Sequence, residues 1–194
     1  MKRIYLVHRW GGNSRSDWYL SLANKIKNHA EIIIFDMPNT ENPTIKEWVT
    51  YIDKNIDKLD NNTYFIGHSI GCQTIMRYLE SKDITSIGGL LFVAPWTKLV
   101  GLEEEEKGIA KEWIDNSIDF SKLKKFTTNI VCLFSKNDYY VPLDQIDYLG
   151  WELDAKTKLF ESVGQFTEAD NIKTADFIYN EVIKLLCKED SYNE

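Results

Sequence analysis

Six short runs of apolar, largely β-branched residues punctuate the chain: "RIYLVH" (3–8), "EIIIFDM" (31–37), "TYFIG" (63–67), "GGLLFVAP" (88–95), "NIVCLFS" (129–135) and "TKLFES" (157–162). Their hydrophobicity is nearly continuous, the pattern of parallel strands covered on both faces. Between them the spacing turns helical. Residues 17–29 form one such segment, with Asp17 as its N-cap. From Thr44 onward, Ile45, Trp48, Val49, Ile52, Ile56 and Leu59 share one helical face. Further segments cover 71–79, 169–186 and, more briefly, 143–153. This alternation predicts an α/β fold, a parallel sheet of about six strands flanked by helices, in a single domain over residues 1–194. Residues 96–128 break the rhythm with two helix-like pieces. They leave the carboxyl end of the fourth strand, the edge where open α/β sheets bind ligands, so a small lid and a long crossover both stay open.

Charge narrows the partners. A net charge of −7, a pI near 5.1 and scattered Lys and Arg residues argue against nucleic acid and anionic membrane surfaces. The block Glu103-Glu104-Glu105-Glu106 reads as a solvated helix face. No signal peptide is expected, since His8 and Arg9 interrupt the first apolar run and no small-residue cleavage site follows. No stretch approaches the ~18 apolar residues of a membrane span. Cys72, Cys132 and Cys187 are an odd, widely spaced set without metal-ligand spacing. They are expected as small buried hydrophobes in a reducing cytoplasm, and no metal or cofactor is expected.

The chemistry concentrates in three places. Gly67-His68-Ser69-Ile70-Gly71 is a G-x-S-x-G between a predicted strand and a predicted helix, the setting of a nucleophile elbow. The turn is too sharp for flanking side chains, and the amides at the helix start point at the Ser69 hydroxyl. Asp138 lies just beyond the fifth run, where a carboxylate would orient a catalytic histidine; the alternative is a turn aspartate beside Asn137. A third residue should follow the last strand, and the loop "VGQF" holds Gln165. Of the histidines, His29 closes the first helical segment, and His68 sits inside the elbow with its direction fixed away from Ser69. His8 ends the first strand, as a packed or hydrogen-bonded residue or as a substitute base.

These residues resemble the small serine hydrolases of the retinoblastoma-binding serine hydrolase and YdeN type, a compact branch of the α/β-hydrolases. The likeness runs through "LVHRWGG", "FDMPNTENPTIKEW", "IGHSIGCQTIMRYLE", "GGLLFVAPW", "SKNDYYVP" and "GQFTEAD". It implies Ser69 as nucleophile, Asp138 as orienting acid and a base histidine at the position of Gln165. It also implies an oxyanion hole from the amides of Ile70 and Trp10, in a pocket near His8, Arg9 and His68. Arg9 replaces the family's glycine after the first-strand histidine; it would narrow the pocket or point outward. A carboxamide accepts no proton at working pH. Three accounts therefore stay open: a natural pseudoenzyme binding a ligand or partner, an inactivated variant one base change from histidine, or a different base. The expected function is hydrolysis of a small carboxylic ester or related acyl compound through Ser69, with non-catalytic binding of a small ligand or protein partner in the same pocket as the alternative. A protein-interaction scaffold is a third class, resting on family analogy and the acidic surface.

Overall fold

All six apolar runs enter one parallel sheet, in a computed structural model that describes residues 1–84, 86–174 and 176–187. The strands are β1 (Arg3–Val7), β2 (Glu31–Ile34), β3 (Thr63–His68), β4 (Gly89–Val93), β5 (Ile130–Ser135) and β6 (Lys156–Phe160). The helices are α1 (Tyr19–Ile26), α2 (Ile45–Asn55), α3 (Ile70–Glu80), α4 (Glu104–Asp115), α5 (Phe120–Phe126), α6 (Asp144–Leu153) and α7 (Asp176–Cys187). No helix among the described residues is long and apolar enough to cross a membrane.

The strand order is β2-β1-β3-β4-β5-β6. The chain steps from β1 out to β2, then returns past β1 to β3. A reversal of this kind opens a crevice beyond the carboxyl ends of the two strands. Val7 pairs with Gly67 and His68 with Val93, so β1, β3 and β4 finish nearly level and their following loops meet.

The central strands β3, β4 and β5 are wholly buried, as continuous hydrophobicity predicts. The two edge strands depart from that expectation: β2 is only partly covered, and Lys156, Thr157 and Leu159 of β6 are exposed. Lys156 and Lys158 make this edge an unfavourable template for another chain.

Three local expectations need correction. Asp17 is not the N-cap of α1; it sits at φ +53° with its carboxylate committed to Arg9, and Trp18 caps the helix. The last helix does not begin at residue 169. Thr167 and Asp170 exchange side-chain hydrogen bonds around a single 3-10 turn, Asn171 ends it at φ +64°, and α7 starts at Asp176; Ala175 lies outside the described residues. Of the cysteines, Cys72 and Cys132 are buried but Cys187 is exposed. The glutamate block is more than a solvated face. Glu103 is the N-cap of α4 and Glu106 accepts from its amide at 2.8 Å, placing carboxylates at the positive end of the helix.

Residues 96–128 do hold two helices. The far end of α4 is anchored: the Trp113 indole donates to Pro43 O at 3.0 Å, and Arg77 of α3 donates to Trp113 O at 2.8 Å.

What positions the site is the approach of α3 to β1. A Cβ on Gly71 would lie inside the contact distance of Val7 O and 2.8 Å from His8 O, and one on Gly67 would be 2.7 Å from Cys72 Cα. Any side chain there would push helix and sheet apart. Gly71→Ala should therefore destabilise the fold by about 3 kcal/mol through overpacking against backbone, read as a lower urea midpoint. An unchanged midpoint would show that α3 can lift from β1 freely.

Candidate active site

Ser69 occupies the turn between β3 and α3 at φ +53° and ψ −117°, a strained conformation for a side-chain-bearing residue. Its amide is tied to Val93 O at 2.8 Å, and its own carbonyl accepts from Cys72 N at 2.9 Å. As the first residue of α3, Ile70 has no helical acceptor for its amide, which is left at the positive end of the helix dipole. Among the described residues, the Ser69 hydroxyl oxygen has one close partner, the Trp96 indole N–H at 3.3 Å.

Ser69 and Gln165 line one cavity of about 330 Å³, together with Arg9, Trp10, Trp96 and Tyr139. The wall is completed by Leu99, Leu102 and Glu106 from the long connection and by Glu41. Gln165 is 4% exposed and its Nε2 donates to both carboxylate oxygens of Asp138, at 3.0 and 2.9 Å. The Asp138 Oδ1 also accepts from the amides of Tyr140 and Val141, each at 2.9 Å. Burial nevertheless pushes the Asp138 carboxyl above the usual carboxylate range, outweighing the lowering by these donors. The other end of the glutamine amide, Oε1, is buried with no hydrogen-bond partner among the described residues. Such an orphan acceptor costs about 1–3 kcal/mol.

The loop carrying Gln165 is fixed from four sides. The Asn137 side-chain oxygen accepts from Gly164 N at 2.9 Å. The Asp170 carboxylate accepts from the amides of Gln165 and Thr167, at 2.9 and 3.2 Å. The Trp18 indole donates to Phe166 O at 3.0 Å, and Glu168 N donates to Asp17 at 2.8 Å. The fourth support is a buried relay. Arg9 N donates to Tyr19 Oη at 3.3 Å, Tyr19 Oη contacts His68 Nδ1 at 2.7 Å, and His68 Nε2 contacts Gln165 O at 2.7 Å. A carbonyl can only accept, so Nε2 carries the proton and Nδ1 receives the tyrosine hydroxyl.

His8 is similarly committed. Its Nε2 accepts from Met37 N at 3.1 Å, so Nδ1 bears the proton and donates to Arg9 O at 2.7 Å. His8 and His68 are both fully buried beneath the cavity, not on the wall where a pocket role would put them. Burial lowers the pKa of His8 and takes that of His68 to about 4. Neither imidazole offers a free lone pair to Ser69, which removes the account of His8 as a substitute base. His29 is exposed, past the end of α1.

Arg9 neither fills the cavity nor points away from it. Its guanidinium lies along the wall, held by Asp17 at 2.7 Å and by Trp10 O at 3.0 Å. The Asp17 side chain is fully buried, and the Arg9 guanidinium is the cation paired with it. Trp10 is fixed through its indole, which donates to Glu41 O at 2.9 Å. Sequence reasoning missed Trp96, Tyr19, Asn137 and Asp170. Only the last left a local signal, the Thr167-x-x-Asp170 spacing of a capping box.

A serine on a strained strand-to-helix turn, with a carboxylate and its hydrogen-bonded partner delivered from the next loops, is the layout of a serine hydrolase site. The serine hydrolase family model matches residues 4–179. The chain belongs to that family. Among its relatives, the YdeN protein of Bacillus subtilis strain 168 is 24% identical over 190 residues, 97% of this chain and 98% of that one. The serine hydrolase RBBP9 of Rattus norvegicus is 25% identical over 135 residues, 70% and 69% of the two chains. The crystal structure of the B. subtilis ydeN gene product superposes with a TM-score of 0.88, covering 95% of this chain and 98% of that one. A monoacylglycerol lipase of Paleococcus ferrophilus shares the fold more distantly, at 16% identity and TM-score 0.71, over 95% of this chain and 93% of the lipase. These likenesses establish an α/β-hydrolase fold.

The committed histidines set an acid limit on the fold. In the unfolded chain each would protonate at ~6.5; in the folded chain burial lowers both, that of His68 to about 4. The unfolded state therefore binds more protons between pH 6.5 and about 4, and stability falls as the pH falls through that window. The His68 share of the loss should be on the order of 3 kcal/mol. Urea unfolding at pH 7 and 4.5, with the His68 ring followed by NMR, checks this; a flat stability profile would contradict a neutral buried His68.

Proposed function

We propose that the cavity takes a small carboxylic ester or related acyl compound, with its carbonyl carbon over Ser69 Oγ and its carbonyl oxygen toward the amides of Ile70 and Trp10. Ser69 is the nucleophile of this reading and Asp138 the orienting acid. Gln165 stands in the place of the base histidine, so hydrolysis at neutral pH is strongly impaired. The observation that carries the reading is the double hydrogen bond from Gln165 Nε2 to Asp138. It is the contact by which a carboxylate would hold an imidazole, here made by a group that cannot take the serine proton. Losing the base of such a triad lowers the rate by about 10⁴–10⁶, or roughly 5–8 kcal/mol of transition-state stabilisation. Recognition of the acyl group survives, because the helix-start amides and most of the cavity wall come from residues other than Gln165.

The connection over residues 96–128 serves as a fixed cover in this reading. Its first part supplies Leu99, Leu102 and Glu106 to the wall, while Trp113 and Arg77 hold the end of α4 against the body of the protein. A wholly non-catalytic binding site in the same cavity is the second reading, favoured by the same glutamine.

Gln165→His should create esterase activity. Hydrolysis of an activated aryl ester at pH 7.5 should rise by about two decades or more, and labelling by a fluorophosphonate probe should rise with it. Both gains should vanish when Ser69→Ala is added. The Arg9 guanidinium is held by Asp17, so no second change at Arg9 is needed. A parent already as fast as the Gln165→His variant would refute the impairment, and a variant no faster than the parent would favour the binding site.

A further inference from the structure

The Trp96 indole touches the oxygen on which this chemistry depends, and nothing in the usual triad requires it. Trp96 is 1% exposed and lies just past β4, where the chain turns sharply: Ala94, which carries a side chain, has φ +49°. Its main chain is clamped from both sides. The Gln73 side chain of α3 donates to Trp96 O at 2.9 Å, and the Gln145 side-chain oxygen of α6 accepts from Thr97 N at 2.7 Å and from the Thr97 hydroxyl at 2.9 Å. Gln73 and Gln145 are themselves buried polar residues that the triad does not use. Two buried amides, a left-handed alanine and a closed wall thus aim one N–H at Ser69 Oγ.

We propose that the Trp96 indole is a catalytic hydrogen-bond donor to Ser69 in its anionic form, giving this chain a hydroxide-driven acyl-transfer route that needs no imidazole. The inference rests on Ser69 being the nucleophile. Hydroxide removes the Ser69 proton as water, and the alkoxide is held by the indole N–H and the positive end of α3. The alkoxide oxygen bonds to the acyl carbon, the carbon–oxygen bond to the aryl group breaks, and the aryl oxide leaves with its electron pair. A second hydroxide attacks the acyl-serine, releasing carboxylic acid that ionises and a Ser69 alkoxide that the same donor receives. An indole N–H suits this role because it donates only and stays neutral throughout.

Other charged groups approach the same cavity from several elements. Arg9, paired with Asp17, approaches from the loop after β1; Glu41 follows β2; Glu106 comes from α4; and Asp138 stands behind Gln165. Burial raises the Tyr139 and Tyr140 phenols and lowers His8 and His68. What changes between pH 7 and 10 in this route is the hydroxide concentration, and with it the small fraction of Ser69 present as alkoxide.

The test measures 4-nitrophenyl acetate hydrolysis from pH 7 to 10 in the parent, in Ser69→Ala, in Trp96→Phe, and with Trp96 replaced by 3-benzothienylalanine. That last side chain keeps the indole's shape and lacks its N–H, so it decides the matter if Trp96→Phe misfolds. The Ser69-dependent rate of the parent should rise about tenfold per pH unit, with acyl-Ser69 seen by mass spectrometry. Both Trp96 replacements should lower it about 10- to 100-fold at every pH while KM stays put. Equal rates with and without the N–H would reduce the indole to packing and overturn the proposal. A parent no faster than Ser69→Ala at any pH would overturn the hydroxide route, while the gain expected of Gln165→His at neutral pH would still test the nucleophile separately.

Discussion

The structure hangs on how closely the start of α3 can approach the end of β1. Gly71 lies against the carbonyls of Val7 and His8 with no room for a Cβ, and Gly67 is pressed against Cys72 in the same way. That contact brings α3 back over the sheet immediately after β3, and the only residue left to absorb the turn is Ser69. Its left-handed backbone follows from the packing. The strain is then held by ordinary means, a hydrogen bond from Ser69 N to Val93 O and ten successive buried residues of α3 from Ile70 to Leu79. A half-buried serine on the cavity wall, beside an unpaired helix start, is the product, generated by helix–sheet contact before any chemistry is considered.

A second layer of order lies beneath the cavity and is entirely polar. Tyr19 and His68 join the first loop to the last one, Asp17 receives both Arg9 and Glu168, and Asp170 and Asn137 hold the main chain around Gln165. Buried hydrogen bonds of this kind pay only when complete. Here each ring nitrogen of His68 and His8 has its partner, while Gln165 Oε1 finds none among the described residues. The scaffold around residue 165 is satisfied; the side chain displayed by it is not.

Much of this was legible along the chain. The strands appear as apolar runs because the central ones are buried on both faces, and Ser69 is marked by glycines whose absence of side chains the packing demands. The same logic falters at the sheet edges, where β2 and β6 have apolar content without full cover. Asp17 reads as a helix cap because capping is a local rule, whereas its carboxylate is spent on Arg9 and Glu168, the latter 151 residues away. Trp96, Tyr19 and Asn137 left no pattern for the same reason. Each acts across loops that meet only once the strands finish level, and no spacing in one segment encodes a contact with another. Asp138 and Gln165 were found by chain order, and the structure joins them through a bond that no order predicts.

The loop around Gln165 is gripped by its main chain: its amide is held by Asp170 and its carbonyl by His68. Its shape is therefore nearly independent of which side chain it carries. Glutamine and histidine codons differ in the third base alone. A lineage can then pass between proton-accepting and proton-refusing forms in one step, with the folded state carried through unchanged. On the proposed reading of Ser69 and Gln165, selection for turnover and selection for a well-formed protein would act on separate atoms here, and the catalytic character of the site would be an inheritable setting, cheap to lose and as cheap to regain.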